Sequence, residues 1–228
     1  MSLKAEQSQW RAEPLPRGRH KLAPEDVRAS QRDRLLRAML ECVAEHGYEA
    51  TTVPQVVATA RVSRNAFYEF FSDKTDCFIA TCDQAAQGLL EELVALQAEP
   101  DWIEAARRGA GIYLRWWQEH PGFSRAYFLG LPQAGERAFA QRERNYELFR
   151  AMFSDLARRA RAEQKSLPPR RPIVPRILVL SITELVAEEV RAGHVDRLTD
   201  LEGDLFFLMI TLLADGSTWQ AIADGAGS

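Results

Sequence analysis

From Glu25 to Ala214 apolar residues recur at intervals of three and four. No stretch alternates apolar with polar residues as a half-buried strand must. That spacing places the apolar side chains on one face of a helix. The chain is therefore predicted to be all-α, with about nine helices and no repeat of fixed period.

The punctuation divides these helices. Val27, Leu35, Leu36, Met39, Leu40, Cys42 and Val43 form a first stripe, which Gly47 stops as the residue after a helix end. Thr52-Val53-Pro54-Gln55 reads as a capping box with proline in the tolerated first turn. Ser63 caps a second short helix, Arg64–Phe71, and Asp73 with Asp76 opens a long third that Pro100 ends. Asp101 caps the next, which runs to His120-Pro121-Gly122. After a short segment, Phe123–Leu129, comes a helix from about Glu136 to Arg161, with Phe139, Tyr146, Phe149, Phe153 and Leu156 expected on one face. The linker Ser166–Pro172 precedes two apolar helices, near Arg176–Ala192 and Leu201–Ala214.

Bulk charge excludes one class of function. The 228 residues carry a net charge of −3, so affinity for a polyanion must come from a local surface. Residues 1–78 hold 12 basic and 11 acidic side chains, whereas residues 172–228 hold 3 and 9. Residues 137–171 hold 10 and 4, but much of that charge lies near a helix C-terminus and in the linker, where a solvated face is expected. Three cysteines make no disulfide framework. The polar N-terminus lacks the apolar core of a signal peptide, and the longest apolar run, Leu205–Ala214, is too short for a membrane span. A cytoplasmic location and no membrane partner are expected. His20, His46, His120 and His194 are scattered, and no nucleophile, phosphate-loop or metal spacing is present. The protein is expected not to be an enzyme and to need no metal or cofactor.

The stretch Thr51–Phe78 carries the functional signal. Two short helices joined by a tight turn, the second opening on a polar cap, form a helix-turn-helix pattern. Val53, Val57, Ala60, Val62, Phe67 and Phe71 can lock the pair. Arg64 and Asn65 then stand on the first turn of the second helix. Arginine suits guanine edges and asparagine adenine edges. Thr51, Thr52, Tyr68 and Lys74 offer hydroxyls and a charge to phosphates. Glu69, which would repel phosphates, is expected to pair with a neighbouring cation.

His46-Gly47-Tyr48, Thr51-Thr52-Val53, Ala60-Arg61-Val62-Ser63 and Phe67-Tyr68-Glu69-Phe70-Phe71-Ser72-Asp73-Lys74 together resemble the DNA-binding domain of the TetR (tetracycline-repressor) family. The resemblance covers about residues 27–78. It implies a homodimeric, ligand-responsive transcriptional regulator, most often a repressor, acting on a palindromic operator in double-stranded DNA. It further implies a domain order of flexible basic arm (1–24), helix-turn-helix head (25–78) and helical ligand-binding and dimerisation domain (79–228). The expected DNA-facing set is Thr51, Thr52, Arg61, Ser63, Arg64, Asn65, Tyr68 and Lys74. Two positions depart from the family. Arg61 stands where glycine is usual, and a left-handed arginine there costs roughly 1–2 kcal/mol. Either the turn is reshaped or Arg61 gains a contact such as a phosphate. Phe70 stands where histidine is common.

Three further expectations follow. Arg17-Gly18-Arg19-His20-Lys21 is a candidate minor-groove arm. Of 21 aromatics, 11 fall between residues 102 and 153. Trp102, Tyr113, Trp116, Trp117, Phe123, Tyr127, Phe128, Tyr146, Phe149 and Phe153 are the candidate lining of a pocket for a small apolar or aromatic effector. In the last two helices Leu178, Ile182, Leu185, Leu205, Leu208, Met209 and Leu212 are the candidate interface with a second subunit. The rival reading is a helical protein-interaction module that keeps the fold without sequence-specific DNA binding.

Overall fold

A computed structural model describes residues 23–163 and 171–214. The basic arm and most of the proline-rich linker lie outside the described residues. Nine α-helices follow one another among those described: α1 (Pro24–His46), α2 (Val53–Ala60), α3 (Arg64–Phe70), α4 (Lys74–Ala95), α5 (Trp102–Glu119), α6 (Pro121–Arg125), α7 (Glu136–Glu163), α8 (Val174–Ala192) and α9 (Glu202–Leu213). Short 3-10 turns follow α4 and precede α9. Between α6 and α7 the chain makes a π-helical turn, Ala126–Gly130, and a 3-10 turn, Leu131–Ala134. The described residues contain no strand.

Local chemistry sets the helix starts. Thr52 and Gln55 make the reciprocal capping box, Thr52 N donating to Gln55 Oε1 at 2.8 Å and Gln55 N to Thr52 Oγ1 at 3.5 Å. Asp101 Oδ1 accepts from Ile103 N at 2.8 Å and Glu104 N at 3.3 Å, capping α5. At α4, Asp76 N donates to Asp73 Oδ1 at 2.7 Å, and Asp76 Oδ2 reaches back to Ser72 N at 2.9 Å.

The chain forms two compact units. The first comprises the described residues up to Ala85 together with Glu119–Phe139. Its core is Leu35, Leu36, Met39 and Val43 of α1, closed by Val56, Ala60, Phe67, Phe71 and Phe78. Thr81 Oγ1 donates to Cys77 O at 2.9 Å and Leu36 O at 3.4 Å, so its buried hydroxyl is satisfied. The segment 119–139 joins this unit because it packs on α1. Gly130 sits so close that an added Cβ would lie 3.3 Å from Tyr48 Cβ and 3.5 Å from Phe78 and Val43.

The second unit comprises Ala86–Gln118 and the described residues from Ala140 onward. Leu89 and Leu93 of α4, Ala105, Ala106, Ala110 and Leu114 of α5, and Leu178, Ile182 and Val186 of α8 fill its interior with Leu205, Met209 and Leu213 of α9. Gln118 Oε1 accepts from both the amide and the hydroxyl of Thr199, each at 3.0 Å. Among the described residues no helix is long and apolar enough to cross a membrane.

Candidate nucleic-acid interface

α2 and α3 are held by what they bury. Val56 and Ala60 of α2 and Phe67 of α3 face α1, and Phe71 closes the end of α3. Phe67 and Phe71 lie 5.6 Å apart between ring centroids. With Phe67 turned inward, Arg64, Asn65 and Tyr68 point out of the unit, and all three are exposed. Ser63 in extended backbone (φ −69°, ψ 153°) accepts from Ala66 N at 3.1 Å and starts α3.

The turn before Ser63 is not reshaped. Arg61 is left-handed, with φ 53° and ψ 46°. Its amide donates to Ala58 O at 3.2 Å, and Val62 N donates to Val57 O at 3.1 Å.

The exposed side chains are ordered by their neighbours. The Arg64 guanidinium lies 5.7 Å from the centre of the Tyr68 ring, one helical turn on. Glu69 pairs with Arg28 of α1 at 3.3 Å, which draws its negative charge off the α3 surface. Arg28 also covers Phe70 at 5.3 Å, and Arg32 covers Phe71 at 5.9 Å. These two α1 arginines were absent from the expected set. Their i, i+4 spacing was the available signal.

Two of the expected phosphate contacts turn inward. Thr51 is buried and donates its hydroxyl to Gly47 O at 2.8 Å. Lys74 Nζ donates to Tyr48 O at 2.8 Å and Glu49 O at 3.3 Å, and lies 4.3 Å from the Tyr48 ring centre. Burial pushes the Lys74 ammonium below the ordinary lysine range, against the opposing pull of Glu49. Lys74 ties the start of α4 to the link between α1 and α2, and Thr51 closes that link on itself. Thr52 is exposed, with its hydroxyl held by Gln55.

The aromatic cluster expected as one pocket is divided between the units. Phe123, Tyr127 and Phe128 are buried in the first, Phe123 tilted against Tyr127 at 5.8 Å and Tyr127 edge-on to Phe128 at 5.2 Å. Trp102, Tyr113, Trp116, Trp117, Tyr146, Phe149 and Phe153 are in the second. There Tyr113 lies edge-on to Trp117 at 6.0 Å and to Phe149 at 6.1 Å. Thr183 of α8 lies beside the hydroxyls of both Tyr113 and Tyr146, and Trp117 lies beside that of Tyr113. Burial pushes both phenols above the ordinary tyrosine range, so they stay neutral donors. Burial likewise pushes up the thiols of Cys42, Cys77 and Cys82, none of which is a thiolate at neutral pH.

The candidate interface residues separate by burial. Leu178, Ile182, Leu205 and Met209 are interior to the protomer, and that burial accounts for their apolarity without a second chain. Leu208 and Leu212 are half-buried, and Leu185 is 37% exposed. The large apolar side chains left outside on these helices are Ile177, Leu180 and Leu185 of α8 and Phe207 of α9.

Comparison with known proteins gives this geometry relatives. Residues 35–81 match the model of the bacterial regulatory proteins of the tetR family. The chain is similar to the HTH-type transcriptional repressor AcnR of Corynebacterium diphtheriae, 34% identical over 85 residues, which cover 32% of this chain and 45% of that protein. It is also similar to the transcriptional regulator AcuR of Cereibacter sphaeroides, 39% identical over 64 residues and 28% of each chain. The match to AcnR thus spans less than half the length of that protein. Among solved structures, the fold is similar to the transcriptional regulator FadR of Bacillus subtilis in complex with stearoyl-CoA. The TM-score is 0.70 at 14% identity, over 78% of this chain and 97% of that one. A TetR transcription regulator from Haloarcula marismortui superposes with a TM-score of 0.69 at 19% identity, over 81% and 98%. The head, residues 35–81, thus matches the tetR family of bacterial regulatory proteins, and the all-helical fold is similar to that of solved regulators of this kind.

Proposed function

We propose that this protein is a ligand-responsive transcriptional repressor that binds a two-fold symmetric DNA operator as a homodimer in the cytoplasm. The observation that carries this reading is the exposure of Arg64, Asn65 and Tyr68 on a short helix locked from behind by buried Phe67. These side chains match what a major groove offers: a guanidinium for guanine O6 and N7, a carboxamide for adenine N6 and N7. Stacking on Tyr68 pre-orders the Arg64 guanidinium, which lowers the entropy lost on contact. Two such helices in a dimer read half-sites about 34–36 Å apart.

The second subunit docks on the outer faces of α8 and α9, through Ile177, Leu180, Leu185 and Phe207. The effector is a small apolar or aromatic molecule held in the second unit, with Tyr113 and Tyr146 as neutral hydrogen-bond donors. A relative of this fold carries a long acyl ligand, which supports an apolar site within such a body. The effector acts by its differential affinity for DNA-fitting and non-fitting states.

Selection from a random duplex pool with the purified protein tests the reading. Enrichment of a two-fold symmetric site is expected. Arg64→Ala then loses discrimination at one base per half-site, by about 1–3 kcal/mol. Enrichment of nothing at low salt and without effector would transfer the protein to the interaction-module reading.

A further inference from the structure

Two helices of this chain end in the same way. At α8, His194 N donates to Glu189 O at 2.9 Å and Gly193 N to Val190 O at 3.2 Å. Gly193 has φ 86° and ψ 9°. At α2, Val62 N donates to Val57 O at 3.1 Å and Arg61 N to Ala58 O at 3.2 Å, around a left-handed Arg61. Both are the paired closure in which one left-handed residue satisfies the last carbonyls. Glycine is its ordinary occupant, because a β-carbon there crowds the following carbonyl. Arg61 is the one non-glycine residue with positive φ among the described residues.

The arginine brings the turn nothing that glycine lacks, since the hydrogen bonds at α8 are equally short. Its side chain is also unused within the fold. Arg61 is exposed, and its guanidinium makes no hydrogen bond or ion pair with the described residues. Other arginines of the same unit are engaged: Arg28 with Glu69, and Arg137 with Asp73 at 2.6 Å. Backbone strain retained without an internal return points to a task outside the chain. The position narrows that task. Arg61 lies two residues before the Ser63 cap and three before Arg64, in the turn that leads into the exposed helix.

We propose that Arg61 is a phosphate contact, its guanidinium holding phosphodiester oxygens beside the groove that Arg64 and Asn65 read. The planar fork matches a phosphate bidentately and keeps its charge at any working pH. Such a contact adds affinity and register but no base preference. This inference rests on the DNA-binding reading above.

The test compares Arg61→Gly, Arg61→Gln and Arg61→Lys on the duplex that the parent protein enriches and on a scrambled duplex of equal length. Arg61→Gly is expected to unfold at the parent's temperature or up to about 4 °C above it. Arg61→Gly and Arg61→Gln each flatten the dependence of log affinity on log salt by about 0.9 per subunit. Both weaken the two duplexes by the same factor, and Arg61→Lys keeps the parent's slope. An unchanged slope in Arg61→Gly and Arg61→Gln overturns the proposal. So does a slope lost in Arg61→Lys, a loss confined to one base position, or a lowered unfolding temperature in Arg61→Gly. If the parent enriches no duplex at all, the DNA reading itself has failed.

Discussion

The two units use their aromatic and polar side chains in opposite ways. In the first, Phe67 and Phe71 face inward so that Arg64, Asn65 and Tyr68 can face outward, and the candidate DNA contacts lie within 17 residues of sequence, from Thr52 to Tyr68. In the second, the polar groups of interest are themselves drawn inward, Tyr146 buried and Tyr113 and Thr183 half-buried. Tyr113, Tyr146 and Thr183 come from three helices and meet through hydroxyls across 70 residues of chain. A surface reader can be specified by one short motif. An interior site must be assembled by the whole helical packing, and its chemistry can drift while the packing is kept.

Breaking the head from inside gives the largest effect. Phe67→Ala removes a fully buried ring and is expected to cost about 3–5 kcal/mol of stability, read as an early unfolding transition with loss of DNA binding. Next comes the outer face of the second unit. Phe207→Glu places a charge where a second subunit is proposed to cover a 45% exposed ring. It is expected to keep the fold but shift sedimentation toward monomer, weakening association by roughly 3 kcal/mol or more. A variant still dimeric at micromolar concentration would move the interface elsewhere.

The Arg64–Tyr68 stack sharpens the surface side of the comparison. Tyr68→Phe keeps the ring and should retain discrimination at the base read by Arg64. Tyr68→Ala should lose about 0.5–1 kcal/mol of it, with unfolding unchanged. Equal discrimination in the two variants would confine Tyr68 to its hydroxyl.

The smallest effect is on the pH dependence of stability. Partial burial raises the Asp73 carboxyl, but the amide of Asp76 and the Arg137 guanidinium outweigh it and hold the group below the usual carboxylate range. A depressed folded value contributes stability above the unfolded pKa of about 3.9, lost as pH falls through the folded one. Arg137→Ala should therefore cost the first unit a small amount of stability that is fully expressed at pH 7 and fades as pH falls through the folded value. Equal stability of variant and parent at pH 7 would show that the helix cap alone sets the value.

Features decided by neighbours in sequence were legible before any coordinates. The Thr52–Gln55 box, the Ser63 and Asp101 caps and the pairing of Glu69 with a cation are of this kind, although the partner of Glu69 was not. Arg28 lies 41 residues away, and periodicity tells which face it occupies but not which ring it meets. Thr51 and Lys74 show the same limit. A hydroxyl or ammonium next to a helix start serves a phosphate or a backbone carbonyl equally well, and only the fold of residues 47–52 decides between them. In α8 and α9 apolar residues surround the helix, so the pattern could not separate Leu178 and Met209, which face inward, from Ile177 and Phe207, which face out. Phe139 was expected on the buried face of α7 and is 41% exposed, whereas Ala138 beside it is fully buried, so the packed face at the start of α7 lies one residue away. The π-helical turn at Ala126–Gly130 left no trace in the spacing at all.

Gly130 ties that segment to the head sterically. With Tyr48 Cβ 3.3 Å from where its own β-carbon would stand, alanine at 130 fits only if Tyr48 gives by a few tenths of an ångström. Val43 and Phe78 stand at 3.5 Å, an ordinary contact distance. A side chain at 130 is therefore felt first in the helix-turn-helix head and its flanking helix, although the sequence neighbours of 119–139 on both sides lie in the other unit.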